Sequence, residues 1–95
     1  MRPMYALARL DALVNERLGG DKSRLFELFE SREVFDLLRA ADQPEDWYHF
    51  EPKTFDGDYL VETPEGFQIY WQERGTKAAV RNFTLLLDAA RAFFR

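Results

Sequence analysis

A chain of 95 residues and 11.2 kDa has room for one compact domain around one core, which excludes a large catalytic scaffold. Its formal net charge of −4 disfavours direct binding to phosphate backbones or to anionic lipid. Apolar residues at 46%, aromatics at 16% and charged residues at 32% are the composition of a folded globular chain, and the lack of cysteine excludes disulfides, thiolate chemistry and Cys-based zinc or iron–sulfur sites. His49 alone remains as a nitrogen ligand. Met1 to Tyr5 carries a positive charge, but Arg9, Asp11, Asn15, Glu16 and Arg17 interrupt the next stretch, so no signal-peptide core is expected. No apolar run approaches the roughly 20 residues of a membrane helix. The expectation is a soluble, cytoplasmic protein without a membrane partner.

From Met4 to Leu18, Leu7, Leu10, Leu13, Val14 and Leu18 recur at spacings of three and four, which predicts an amphipathic helix that Gly19-Gly20 ends. Asp21 then offers a carboxylate to the open N–H groups of a second helix, whose stripe is Leu25, Phe26, Leu28 and Phe29. Val34, Phe35, Leu37 and Leu38 continue the helical period to about Ala41, within the same helix or after a kink at Ser31; two helices are the preferred reading. Pro44 and Pro52 bracket a segment in which regular helix is not expected, and it reads as a loop anchored by Trp47, Tyr48 and Phe50.

Tyr59 to Thr63, Phe67 to Arg74 and Ala78 to Phe83 are short and rich in strand formers, separated by the turn sequences Pro64-Glu65-Gly66 and Gly75-Thr76-Lys77. They predict a three-stranded antiparallel meander. In the middle strand Phe67, Ile69 and Trp71 share a face meant for the helices, while Gln68, Tyr70, Gln72 and Arg74 share a wetter one. Glu73 has Arg81 as a candidate cross-strand partner. Thr84 is the expected cap of a last helix carrying Leu86, Leu87, Ala90, Phe93 and Phe94. The fold class is thus α+β: one two-layer domain in the order α-α-β-β-β-α, with residues 1–41 helical, 42–56 an acidic aromatic loop, 57–83 the sheet and 84–95 the C-terminal helix.

Charge is unevenly placed. Residues 1–40 hold seven basic and seven acidic groups, residues 41–66 one basic and eight acidic, and residues 67–95 five basic and two acidic, for balances of 0, −7 and +3. The middle block sets Asp42, Glu45, Asp46, Glu51, Asp56, Asp58, Glu62 and Glu65 against Lys53 alone. One reading is a solvated loop that keeps the protein in solution. The other is a docking face for a basic partner, in which carboxylates steer the approach and Trp47 or Tyr48 supplies buried contact. Asp56-Gly57-Asp58 lacks the further ligands of a calcium loop and reads as a turn.

No metal, cofactor or catalytic residue is expected. His49 between Tyr48 and Phe50 reads as a packed side chain, no Ser or Cys sits in a nucleophile motif, and neither phosphate-binding glycine spacing occurs. A hydrolase built on His49 and carboxylates is the remaining enzymatic class.

One motif carries a resemblance. Phe67-Gln68-Ile69-Tyr70-Trp71-Gln72-Glu73-Arg74-Gly75-Thr76-Lys77, followed by Phe83 and a short helix, resembles the "tyrosine, aromatic, any residue, Glu-Arg-Gly" strand and turn of small immunity proteins from bacterial polymorphic-toxin and contact-dependent inhibition systems. The match spans Tyr59 to Ala90. It departs where those proteins carry several acidic residues at the start of the last helix and this chain has Thr84-Leu85-Leu86-Leu87 before Asp88. The resemblance implies a non-enzymatic, antitoxin-like inhibitor, monomeric in a one-to-one complex with a cognate toxin domain, which is a nuclease if the acidic surface mimics phosphate. The partner-binding residues expected on this reading are Asp42, Glu45, Asp46, Trp47, Tyr48, Glu51, Asp56, Asp58, Glu62 and Tyr70. The alternative is an interaction or adaptor domain, homodimeric if the adjacent Phe93 and Phe94 leave one ring for a second copy.

Overall fold

The computed structural model describes residues 6–41 and 46–94. Helix α1 (Ala6–Leu18) buries Leu10 and Val14 and ends where Gly19 and Gly20 both take positive φ. Asp21 caps the next turn as expected: its carboxylate accepts from the Ser23 amide at 3.1 Å and from the Ser23 hydroxyl, and these bonds hold it below the usual carboxylate pKa. The capped element is a 3-10 helix, Lys22–Phe29, that buries Leu28 and Phe29. The chain breaks at Glu30–Arg32 before α2 (Glu33–Ala40), so the helical period of residues 21–41 belongs to two elements of different pitch.

The sheet has four strands, one more than the meander read from the sequence. They are β1 (Tyr48–His49), β2 (Gly57–Thr63), β3 (Gly66–Glu73) and β4 (Thr76–Phe83), in spatial order β1-β2-β3-β4. β1 lies inside the segment read as loop and pairs in parallel with β2, Tyr48 opposite Asp58 and His49 opposite Tyr59, so the sheet is mixed. Two residues are too few to show an alternation, so periodicity does not reveal them. The β3–β4 turn uses Arg74 (φ 50) and Gly75 (φ 78), two consecutive left-handed residues that suit the twist of a hairpin. Helix α3 (Leu86–Phe93) starts from Leu85 without a side-chain cap, one residue beyond the expected Thr84.

Helices cover one face of the sheet. Leu60, Phe67 and Ile69 meet Leu10, Val14, Phe29, Val34, Phe35, Leu38, Leu86, Ala89 and Ala90 there. Phe35 stands edge-on to Phe50 at 6.3 Å and to Phe67 at 5.6 Å, tying α2 to the sheet. Phe93 and Phe94 both pack against the core while staying half-buried, Phe94 5.3 Å from Phe29 and Phe93 5.5 Å from Tyr48.

The opposite face departs from expectation. Tyr70 and Gln72, read as the wetter side of β3, are buried, with Tyr70 only 3% exposed. Within the connection 50–56 between the two parallel strands, the Lys53–Phe55 backbone is tied down onto Gln72 and Tyr59 on this face. Gln72 Nε2 donates to the Lys53 and Phe55 carbonyls at 2.8 and 3.0 Å, and the Tyr59 hydroxyl donates to the Phe55 carbonyl at 2.6 Å. Below them Phe55, His49, Tyr59 and Tyr70 form a ladder of rings, ending in a Tyr59–Tyr70 stack 4.9 Å apart and 8° from parallel. The register also separates the proposed ion pair, since Glu73 lies opposite Thr76 while Arg81 lies opposite Ile69. Truncating Phe35 to Ala is expected to lower stability by about 3–5 kcal/mol, read as the shift of the denaturant midpoint at unchanged slope; a loss below about 1 kcal/mol would place the core elsewhere.

Candidate functional site

The described carboxylates of the acidic block do not form one face. Asp42 and Glu45 lie outside the described residues. Asp46 is 6% exposed and buried among neighbours. Glu62 receives both Arg32 terminal nitrogens at 2.9 and 3.0 Å, and this fork holds its carboxyl below the usual range. Arg39 lies 3.6 Å from Glu62 and 3.3 Å from Glu51, and Lys53 lies 3.7 Å from Glu51. With Asp36 at 3.3 Å from Arg32, these groups form an ion-pair lattice joining α2, β2 and the 50–56 connection. Two of the expected contact carboxylates, Glu51 and Glu62, therefore already face cations of this chain.

Tyr70 points to the other side of the sheet, under the Lys77 ammonium 4.5 Å above its ring, and burial pushes its phenol pKa up. Among the described residues no group of three or more His, Asp or Glu side chains could hold a metal ion. His49 is fully buried, its ring between Phe55 and Tyr59, so the imidazole proposed for a hydrolase has no access to solvent.

What the fold does bring together is Trp47, Tyr48 and Asp58 with Trp71. The Asp58 amide donates to the Trp47 carbonyl at 2.9 Å, and Asp58 sits opposite both Tyr48 and Trp71 in the sheet. Trp47 packs on Trp71 with ring centres 5.2 Å apart yet keeps 57% of its surface exposed. Beside the pair opens a cleft of about 210 Å³ lined by Asp58, Trp71, Ala79, Arg81, Ala92 and Phe93. Asp58 is half-buried in its wall, and desolvation raises its carboxyl pKa above the ordinary value. Asp56 borders the same end of the sheet, accepting the Arg74 amide at 2.9 Å and so stitching the start of β2 to the β3–β4 turn.

Gly57 makes this junction possible. At φ +145 a Cβ would come within 2.5 Å of the Trp47 carbonyl oxygen, so only glycine lets β1 approach β2. Sequence reasoning misses Trp71 as a site residue, because strand alternation sends Trp71 to the core and gives no hint that β1 brings Trp47 against it.

The chain matches no model of a known protein family, no curated protein and no solved structure.

Gly57→Ala is expected to break the β1–β2 pairing, seen as a red shift and broadening of tryptophan emission with a stability loss of about 2 kcal/mol or more; an unchanged spectrum would show that the junction tolerates a side chain. Asp58→Asn tests the raised carboxyl. A folded-state pKa above the unfolded one means the folded protein holds the proton more tightly, so ionised Asp58 opposes folding above its folded pKa and the opposition vanishes below the unfolded value. The Asn variant should therefore be more stable than the parent at neutral pH and equal to it near pH 3. A loss of stability at neutral pH would instead reveal a favourable partner for the carboxylate.

Proposed function

We propose that this chain is a non-catalytic, antitoxin-like inhibitor of the immunity type. On this reading it acts in the cytoplasm as a monomer, binding one cognate toxin domain and seating a basic region of it on Trp47, Trp71 and Asp58. The observation that carries the reading is Trp47, a large aromatic held in place by Trp71 while most of its surface faces solvent. Tryptophans of this kind supply much of the energy of protein interfaces because they bury a large area at small entropic cost. A cationic side chain of the partner would find an indole face and the half-desolvated Asp58 carboxylate together, where attraction is less screened than at an open surface. Asp56 and Glu73 would rim the contact.

The resemblance of Phe67–Lys77 to the immunity motif supports the inhibitor class, and its residues here build β3, the turn and the start of β4 that present Trp71. The acidic steering expected across residues 42–62 is narrowed by the ion-pair lattice: Glu51 and Glu62 are neutralised by Arg39 and Arg32 and contribute little field to a partner, while Asp56 and Asp58 make no ion pair among the described residues.

The test is capture of the partner on the immobilised protein, followed by its expression alone and together with this chain. Growth arrest by the partner and its relief by co-expression are the expected results; a harmless partner would end the inhibitor reading. Trp47→Ala should weaken the complex by about 2 kcal/mol or more, roughly thirtyfold in Kd, and abolish the relief of arrest. Full protection by Trp47→Ala would remove this surface from the interface.

A further inference from the structure

We propose that the free edge of β4 is a strand-addition site for an extended acidic segment carrying two carboxylates three residues apart. β4 ends the sheet, and every residue of its eight is exposed except the half-buried Phe83. An antiparallel strand turns the N–H and C=O of alternate residues toward each neighbour, so on the outer side of β4 these groups have no strand to meet. The strand nonetheless keeps its extended form, ready for a partner backbone.

The charges on this edge select that partner. Arg17, Lys22, Arg24, Arg32, Arg39 and Lys53 all face carboxylates of this chain. Arg74, Lys77 and Arg81 make no ion pair among the described residues, and the sequence has no acidic residue between Arg74 and Asp88. Two of them are held over rings, the Lys77 ammonium above Tyr70 at 4.5 Å and the Arg81 guanidinium above Phe83 at 5.1 Å, so they meet a ligand with little further ordering. A neutral strand leaves these cations unanswered. A second copy of β4 adds its own Lys77 and Arg81 to the same seam, where like charges repel.

The bulge sets the spacing. Lys77 lies opposite Gln72 and Arg81 opposite Ile69, so four residues of β4 match three of β3, with the irregularity at Ala79, whose φ is +53. Four residues apart on a regular strand the two cations would share a face. The extra residue sends Lys77 to the loop-covered face with Gln72 and Arg81 to the helix face with Ile69. A regular incoming strand advances three residues over the same distance, so its carboxylates reach both cations only at a spacing of three.

The experiment titrates the isotope-labelled protein with the peptide Thr-Val-Glu-Thr-Val-Glu-Thr-Val, followed by amide resonances. Expected are shifts concentrated at Thr76–Phe83, affinity about fivefold higher than for the isomer with its glutamates four apart, and weakening as NaCl rises from about 0.05 to about 0.5 M. N-methylation of alternate peptide amides should abolish binding, since backbone pairing is required. Lys77→Glu with Arg81→Glu, both exposed and so tolerated by the fold, should lose about tenfold in affinity. Trp47→Ala should bind the peptide as the parent does, which separates this edge from the toxin-facing surface. Shifts elsewhere, indifference to N-methylation, equal affinity of the two isomers, or a concentration-dependent dimer through β4 would each overturn the proposal.

Discussion

With helices on one side only, the sheet must bury its second face by other means, and the device is the connection 50–56. Parallel neighbours usually need a crossover of a dozen residues or more. Here β1 is so short that seven suffice, and their Lys53–Phe55 stretch is fastened to Tyr59 and Gln72. A backbone laid over a sheet must have its carbonyls satisfied. Gln72 satisfies two with one amide group, and the Tyr59 hydroxyl adds a second bond to one of them. The polar residues of β3 and β2 that look misplaced in a core are thus the fasteners of its lid, and the stacked tyrosines give the lid a flat apolar floor.

The same connection organises the charges. It brings Glu51 to Arg39 on α2, with Lys53 beside the same carboxylate, while β2 brings Glu62 to Arg32, so these two acids meet arginines far from them in sequence across the domain edge. Exposed pairs of this kind contribute little each. Their larger effect is on the field: the strongly negative middle block is answered where it touches α2 and stays open near Asp56 and Asp58. Among the described residues the positive block has no such answer. The surface therefore has two unlike regions, an aromatic acidic end at Trp47 and a basic edge along β4, set by pairing as much as by composition.

Much of the architecture is legible in the chain. The helical stripes, the two hairpin turns and the α+β class follow from periodicities of 3.6 and 2 and from glycine placement, because these are local signals. The helix-facing side of β3 is equally plain at Phe67 and Ile69. The features that pattern does not carry are non-local. β1 has no alternation to detect, the cover over Gln72 depends on where a loop of mixed composition lies, and a Glu73–Arg81 pair is undone by the tight turn at Arg74-Gly75, which sets Glu73 opposite Thr76 and leaves Arg81 farther along the strand. For the site, composition puts Trp47 and Asp58 in one acidic aromatic stretch, and only the parallel pairing of β1 with β2 makes them neighbours. Glu51 and Glu62 leave the candidate surface only because α2 supplies their arginines, a contact no local pattern contains.

The aromatic site and the lid share their two ends. Trp47 precedes β1, Asp58 follows Gly57 into β2, and the lid is the chain between them. The hydrogen bond from the Asp58 amide to the Trp47 carbonyl and the close approach allowed by Gly57 close that loop at its base. A partner seated on Trp47 and Trp71 would press on this closure rather than on a free surface side chain, so its binding energy would also hold the lid over Tyr59 and Gln72. The half-buried Asp58 opposes the isolated fold by its desolvation, and a cation brought by the partner would relieve that opposition. An exposed indole and an uncompensated carboxylate are costs to the domain alone; they become favourable terms only in a complex, which is the physical reason to place the interface at the seam of the fold.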